Sequence, residues 1–198
     1  SGISHEIRNP MTTIKTFIEL LPKKIDNPRF REEIVKVVPE EIERVDSLIG
    51  NLIDYARPKS QDKKHISLNE IVSSCLGLFM PVFEQYNIRV VKDMDGDLFI
   101  YGDKNQIKQS IINFILNSID AIKERQNALK GEDYIGKIII ICHKEKTGAY
   151  LSIIDNGIGM TKEEIRNSLE VFYTTKEKGT GLGLPVSIQL LKSNNCNV

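Results

Sequence analysis

The chain has 198 residues and a formal net charge of zero, because 27 lysine and arginine residues balance 27 aspartate and glutamate residues. This balance argues against a nucleic-acid-binding surface, which needs a basic excess to neutralise phosphates. Hydrophobic residues make up 40% of the chain, as in soluble globular proteins, and no apolar run approaches the roughly 18 residues of a membrane span, so we expect no membrane contact by these residues.

Two long amphipathic helices are predicted at the start of the chain. The first is expected to end at Pro22 and the polar run Lys23–Asn27, and the second to begin at Pro28, behind the N-cap residue Asn27, and to run to Ala56. Two such helices joined by a short turn predict an antiparallel hairpin, and their broad apolar stripes predict that two hairpins pair as a four-helix bundle in a homodimer. The stripes comprise Ile7, Met11, Ile14, Ile18 and Leu21 in the first helix and Ile34, Val38, Ile42, Val45, Ile49, Leu52 and Ala56 in the second.

A polar, proline-marked stretch at 58–66 is expected to be a linker. A capping box from Ser67 to Glu70 then predicts a helix that runs to about Tyr86. Two strands, 88–94 and 98–101, are expected to form a hairpin around the turn Asp95-Gly96.

The rest of the chain again alternates between helices and strands. We expect a helix from Asp103 to about Ala128, a strand pair at 137–144 and 149–155, a short helix capped by Thr161 and Glu164, and a last helix at 184–192. This order predicts an α/β sandwich with a mixed sheet. The chain as a whole is therefore predicted to be α+β, with the helical hairpin in 1–57, the linker in 58–66 and the sandwich in 67–198.

The segment His5-Glu6-Ile7-Arg8-Asn9-Pro10 places a histidine, a carboxylate and a carboxamide within about one helical turn. On a helical projection His5 and Asn9 fall opposite the apolar stripe, and taken alone His5 is most simply a surface histidine on a dimerising helix. Glu6 could, however, accept a ring proton and leave the other nitrogen free to attack a phosphoryl group. Asn9 could orient a water molecule that hydrolyses a phosphohistidine, and Pro10 bends the helix beside His5.

Two glycine-rich loops are typical of a nucleotide site. Asp155-Asn156-Gly157-Ile158-Gly159 follows a strand, so its glycines allow close backbone approach and Asp155 can accept a hydrogen bond from an adenine amine. The second loop precedes a helix, whose free N–H groups and positive end form an anion site. The alternatives are a strand-to-helix turn for the first loop and a flexible glycine linker for the second. The candidate phosphate contacts are Lys176, Lys178, Gly179, Thr180, Gly181, Leu182 and Gly183.

Asn113 and Asn117 lie one turn apart on the predicted helix that starts at Asp103. An asparagine oxygen is a suitable ligand for hydrated Mg²⁺, which takes few protein ligands and relies on phosphate oxygens. The alternative is a polar flank on an otherwise buried helix.

Together these elements resemble the sensor histidine kinases of bacterial two-component signalling, over nearly the whole chain. Ser4–Pro10 is similar to the family's phosphoacceptor box, Asn113–Ala121 to its N box, Asp155–Gly159 to its first glycine box and Gly179–Leu184 to its second. Phe172-Tyr173-Thr174-Thr175-Lys176 resembles the segment that leads into the ATP lid. The wording SHEIRNPMTTIK and YTTKEKGTGLGL is most similar to the sporulation-kinase and nitrogen-sensor branch.

The resemblance implies a dimerisation hairpin followed by a Bergerat-type ATP-binding domain. It assigns His5 as the phosphoacceptor, Glu6 as its base and Asn9 as the phosphatase group. It also assigns Asn117 as the Mg²⁺ ligand and Asp155 as the adenine contact. The implied activity is ATP-dependent autophosphorylation and phosphotransfer to an aspartate of a response regulator.

Two other classes of protein are alternatives to a sensor histidine kinase. An ATP-hydrolysing enzyme of the gyrase and chaperone type would have a glutamate where this chain has Asn113, and an amide cannot take the proton of an attacking water. A non-catalytic module that only senses ATP is disfavoured by the lysines of the lid and by His5.

The chain is expected to be a fragment of a cytoplasmic protein. Cys75, Cys142 and Cys196 are scattered without metal-ligand spacing, which indicates reduced thiols. The chain opens at Ser1 within a predicted helix and closes before the strands with which the family completes its sheet. Asp120-Ala121 also departs from the basic or aromatic residue that many relatives have there, so no phosphate contact is assigned to that turn.

Overall fold

The computed structural model describes residues 2–56, 62–129, 134–146, 148–176 and 179–198, apart from the side chains of 2–6, 47–48 and 51–56. These residues form two compact units. One unit holds the N-terminal helices together with Ser168–Pro185, and the other holds the described residues from 62 to Asn167 together with Val186–Val198. The units thus differ from the predicted contiguous division, and the assignment of 1–57, 58–66 and 67–198 to functional domains stays a prediction.

The N-terminal helices are α1 (Gly2–Lys24) and α2 (Pro28–Ala56), which contact each other as a hairpin. The Oδ1 atom of Asn27 accepts hydrogen bonds from the N–H groups of Arg29 at 3.0 Å and Phe30 at 3.4 Å, which confirms the predicted cap. The helix α1 continues through Pro22 and ends at Lys24, within the polar run Lys23–Asn27 that was predicted to terminate it. Proline removes only its own N–H donor, and a helix can continue past it with a local bend.

The second unit begins with β1 (Lys63–Ser67), so the last residues of the stretch 58–66 form a strand instead of a linker. The side chain of Ser67 accepts the N–H of Glu70 and starts α3 (Leu68–Leu78). The predicted single helix is broken at Phe79, and α4 (Met80–Gln85) follows, with a proline in its first turn. Proline is favoured there because it needs no N–H partner at a helix start.

Within the described ranges, five strands form two sheets. In the first, β1 pairs antiparallel with β3 (Phe99–Asp103). In the second, β4 (Gly136–Glu145) lies between a parallel partner, β2 (Ile88–Met94), and an antiparallel partner, β5 (Gly148–Asp155). The predicted mixed sheet is therefore confirmed.

The predicted hairpin between 88–94 and 98–101 is wrong, because β2 and β3 belong to different sheets. A tight hairpin turn of the Asp-Gly type needs positive φ at its glycine, and Gly96 is not among the described glycines with positive φ. Asp95 instead accepts the N–H of Lys144 through Oδ2 at 2.8 Å, and its own N–H donates to the carbonyl of Cys142 at 2.8 Å. The side chain of Asn69 donates to the carbonyls of Asp95 and Gly96. The turn thus crosses from one sheet to the other.

The helix α5 (Lys104–Ala128) lies at the centre of the second unit, capped by the Asp103 side chain. Its apolar face packs in one cluster with β4, α3 and α4. The helices α6 (Lys162–Asn167) and α7 (Gly183–Ser193) complete the described elements. None of the helices in the described residues has the length and apolar character that a membrane crossing requires. The buried members from α5 and β4 are Ile107, Ile111, Ile115, Ile119, Ile122, Ile138, Ile140 and Cys142.

Candidate active site

The phosphoacceptor candidates lie in the first half of α1. His5 and Glu6 are helical, and their side chains lie outside the described part of the chain. Asn9 is exposed, as predicted, while the next residue, Pro10, is fully buried. Because Pro10 has no N–H, the carbonyl of Glu6 lacks its usual helical donor one turn later. Position 9 therefore presents a carboxamide to solvent beside a break in the helical hydrogen-bond ladder.

The asparagine pair lies on α5. The Nδ2 atom of Asn113 donates to the Oγ of Ser187 in α7 at 3.0 Å, and the hydroxyl of Ser110 donates to the carbonyl of Ser187 at 3.3 Å. These bonds join α5 to the middle of α7 and orient the amide of Asn113. Asn117, one turn further along, is exposed. Its amide oxygen is the hard donor that Mg²⁺ prefers, so the residue fits the predicted metal role.

The first glycine-rich loop follows β5 directly. Asp155 is half-buried, and its Oδ1 accepts the N–H of Gly157 at 2.9 Å. The N–H of Ile158 donates to the carbonyl of Ala121 in α5 at 3.0 Å. A Cβ at Gly157 would lie 2.5 Å from the Cβ of Ala121, so only glycine fits between the loop and α5. Gly159 has a φ of +77°, a conformation that glycine adopts without strain. The structure thus brings Asp155 and the N-box helix together.

The second glycine-rich loop belongs to the other unit. The N–H of Phe172 donates to the carbonyl of Gly181 at 3.0 Å, and both residues have positive φ, of +73° and +62°. A Cβ at Gly181 would lie 2.3 Å from the carbonyl carbon of Phe172. The two glycines Gly179 and Gly181 are therefore required by close contacts within the loop itself.

The remaining lid candidates have different environments. Leu182 is buried, and its N–H donates to the Oγ1 of Thr180 at 3.4 Å. Gly183 begins α7, and a Cβ there would meet no atom within 4 Å. Lys176 is half-buried, and Lys178 lies outside the described residues.

Three residues that contact the asparagine pair or the first loop were not predicted from the sequence. Ser187 orients Asn113, while Arg125 and Tyr134 donate hydrogen bonds to the backbone of the loop. Neither Arg125 nor Tyr134 stands in a recognisable motif, because each acts through a backbone carbonyl that any residue could present. Ser187 could have been suspected, since it is a polar residue on the apolar face of a predicted helix.

The chain matches two protein-family models. Residues 1–61 match the His Kinase A (phospho-acceptor) domain, and residues 102–196 match the histidine kinase-, DNA gyrase B- and HSP90-like ATPase. The first match contains His5 and the second contains Asn113, Asp155 and both glycine-rich loops.

Individual relatives agree with these matches. Sporulation kinase C of Bacillus subtilis is 34% identical over 198 residues, which are 98% of this chain and 43% of the relative. The signal transduction histidine-protein kinase AtoS of Escherichia coli is 29% identical, over 100% of this chain and 31% of the relative. The chain thus spans less than half the length of these curated relatives.

A solved structure, histidine kinase ThkA in complex with the response regulator protein TrrA, has a TM-score of 0.77 to this chain. It is 25% identical and covers 98% of this chain and 54% of the solved one.

Proposed function

Since the chain belongs to the sensor histidine kinases, we propose that it transfers the terminal phosphoryl group of ATP to His5 and then to an aspartate of a response regulator. The observation that carries this proposal is the presence, in one chain, of a phosphoacceptor-domain match around His5 and an ATPase-domain match around Asp155. A donor site and an acceptor in one chain are what self-phosphorylation requires.

In the proposed first step a ring nitrogen of His5 attacks the γ-phosphorus of ATP. A P–N bond forms, the bond between this phosphorus and the bridging oxygen breaks, and ADP leaves with the electron pair. Glu6 accepts the proton of the other ring nitrogen, which keeps the attacking nitrogen unprotonated. Because Glu6 adjoins His5 on the same helix, the base travels with the nucleophile.

The nucleotide is held by two groups of residues. Asp155 accepts a hydrogen bond from the adenine amine, while Gly157 and Gly159 allow the loop to approach the base. Lys176, Lys178 and the N–H groups of Gly179–Gly183 contact the phosphates. Asn117 would hold Mg²⁺ together with phosphate oxygens, and the ion supplies charge neutralisation for the moving phosphoryl group.

Asn113 supports kinase rather than ATPase chemistry. Its amide donates to Ser187 at 3.0 Å and cannot accept the proton of an attacking water. We therefore favour phosphoryl transfer to His5 over hydrolysis of ATP. An ATP-hydrolysing enzyme of the gyrase and chaperone type is the second candidate. Asn9, which is exposed beside Pro10, is proposed to orient the water that removes phosphate from the partner regulator.

The partners follow from the surface of the hairpin and from the relatives. Met11 is 51% exposed, Ile18 57%, Val35 74% and Ile42 48% in the single chain. A second copy of the chain would cover these exposed apolar side chains, so we propose a homodimer built on a four-helix bundle. The similarity to ThkA, which was solved with the regulator TrrA, supports a response-regulator partner. A cytoplasmic location and the absence of nucleic-acid and membrane contacts stay predictions.

The test is incubation of the chain with γ-labelled ATP, followed by treatment of the labelled protein with acid or base. A phosphohistidine is labile in acid and stable in base, so we expect acid to remove the label and base to leave it. Acid-stable label, or phosphate released to solvent without labelled protein, would contradict the proposal.

A further inference from the structure

The first glycine-rich loop is held by a pair of side chains that lie outside every motif of the sequence. Arg125, in the last turn of α5, donates from one Nη1 atom to the carbonyls of Asn156 and Gly157, each at 3.1 Å. The hydroxyl of Tyr134 donates to the same carbonyl of Asn156. The guanidinium carbon of Arg125 lies 5.3 Å from the centroid of the Tyr134 ring, within the range of a cation–π contact. The two donors and their mutual contact form one clamp on the loop.

The side chain of Asn156 fixes the same segment to the residues at the start of β4. Its Oδ1 accepts the N–H of Lys137 at 2.7 Å, and its Nδ2 donates to the carbonyl of Ile135 at 3.1 Å. Its backbone N–H donates to the carbonyl of Lys137 at 3.1 Å. Asn156 is thus bonded through its N–H, its carbonyl and both side-chain atoms.

The clamp ends next to the carboxylate of Asp155. The Oδ1 atom of Asp155 accepts the N–H of Gly157, whose carbonyl is held by Arg125. Burial raises the pKa of Tyr134, the Arg125 guanidinium opposes this shift, and the Asp155 carboxylate adds to it. Tyr134 therefore remains a protonated donor at neutral pH and lies close enough to Asp155 to feel its charge.

We propose that Arg125 and Tyr134 are positioning residues that orient Asp155 for recognition of the adenine base. The inference rests on the proposed function, because it assumes that the bound nucleotide is ATP and that Asp155 reads its amine. The physical basis is preorganisation. A carboxylate that a fixed loop already holds in place loses less conformational entropy when the base binds. Guanine carries a carbonyl where adenine carries the amine, so the fixed carboxylate also selects between the two bases.

The experiment measures the dissociation constants of ATP and GTP for the full chain by calorimetry. Tyr134→Phe keeps the ring over Arg125 and removes only the hydroxyl, whereas Arg125→Met removes both hydrogen bonds that Arg125 donates. We expect ATP to bind about threefold more weakly to Tyr134→Phe, which loses one hydrogen bond, and about fivefold more weakly to Arg125→Met, which loses two. GTP affinity should change little, so the preference for ATP falls. Arg125→Lys should recover part of the loss.

Matched controls separate positioning from general damage. Tyr150→Phe and Arg166→Met alter a tyrosine in β5 and an arginine in α6 outside the clamp, and both should retain the wild-type ratio of the two affinities. Asp155→Asn should lower the ratio by itself, and adding Tyr134→Phe to it should change the ratio no further, because the two residues act through one group.

The experiment distinguishes a chain that does not recognise adenine from one that recognises adenine without the help of Arg125 and Tyr134. If the wild-type chain shows no preference for ATP over GTP, Asp155 does not recognise the adenine amine, and that part of the proposed function fails together with the inference, while transfer to His5 is tested separately by the acid-labile label. If the wild-type chain prefers ATP but Tyr134→Phe and Arg125→Met keep that preference, or if Tyr134→Phe lowers it equally with and without Asp155→Asn, the inference alone is overturned.

Discussion

Replacing Gly157 by alanine tests whether the first loop packs on α5 as closely as the structure indicates. An added Cβ would lie 2.5 Å from the Cβ of Ala121, 2.6 Å from its carbonyl carbon and 2.8 Å from the Oδ1 of Asp155. The carbonyl carbon is helix backbone in a long, buried element and cannot swing aside. The loop itself must therefore move away from α5.

The size of the effect follows from this overlap. Overpacking of a tight contact costs about 1–3 kcal/mol, which for a chain of this length lowers the melting temperature by roughly 2–4 °C per kcal/mol. The displacement also disturbs the 2.9 Å bond from the Gly157 N–H to Asp155, so nucleotide affinity should fall with stability. The two losses have one cause and should appear in the same variant.

Gly77 provides the matched control. It lies in α3, and a Cβ there would meet no atom within 4 Å. Glycine is a poor helix former, so Gly77→Ala should stabilise the chain by about 0.5 kcal/mol and leave nucleotide affinity unchanged. The same chemical change is therefore expected to have opposite signs at the two positions.

The assay is urea unfolding followed by circular dichroism, because the chain has no tryptophan to report by fluorescence. Calorimetric titration with ATP gives the affinity of each variant. The reasoning is refuted if the free energy of unfolding of Gly157→Ala lies within about 0.5 kcal/mol of the wild-type value and the variant binds ATP equally well, since surface substitutions away from close contacts fall in that range.

Three further predictions concern the acceptor helix and the half-buried residue His143. His5→Gln should abolish acid-labile labelling from γ-labelled ATP while ATP still binds, and detectable phosphohistidine in this variant would refute the assignment of His5. Asn9→Ala should spare self-phosphorylation and slow the dephosphorylation of a phosphorylated regulator, and unchanged phosphatase activity would count against the assigned role. The pKa of His143 is raised, chiefly by its hydrogen bond to Asp95, where Nδ1 lies 3.2 Å from Oδ1. This contact stabilises the fold below the ordinary pKa of histidine and is lost as the pH rises through the raised value, so Asp95→Asn should lower the pKa of His143 in an NMR titration.

Local signals in the sequence predicted the elements whose ends are set by neighbouring residues. Thr161 and Glu164 form the predicted reciprocal cap, with the N–H of Thr161 donating to Oε2 at 2.6 Å and the N–H of Glu164 donating to Oγ1 at 3.2 Å. Asp103 caps α5 through its side chain, which accepts the N–H groups of Asn105 and Gln106. Such caps join residues two or three positions apart, and a motif in the sequence is sufficient to identify them.

Contacts between residues far apart in the sequence could not be predicted from such local motifs. The turn Asp95-Gly96 has the composition of a hairpin turn. Its conformation is nevertheless set by hydrogen bonds to Asn69, 26 residues before Asp95, and to Lys144 in β4, 49 residues after it. The clamp on Asn156 could not be predicted for the same reason, because Arg125 lies 31 residues and Tyr134 22 residues from Asn156 in the sequence. Only the folded chain brings these groups together.

The two glycine-rich loops differ in what determines their conformation, and this difference predicts a division of roles. The first loop is bonded to α5, to β4 and to Arg125, so its shape depends on the core of the second unit. The second loop has bonds from Phe172 to Gly181 and from Lys176 to Thr174, which join neighbours within the lid. Substitutions in the core should therefore change recognition of the base, whereas substitutions at Gly179 or Gly181 should change the handling of the phosphates. A kinase that must recognise one nucleotide and then release its terminal phosphoryl group benefits from keeping these two determinants separate.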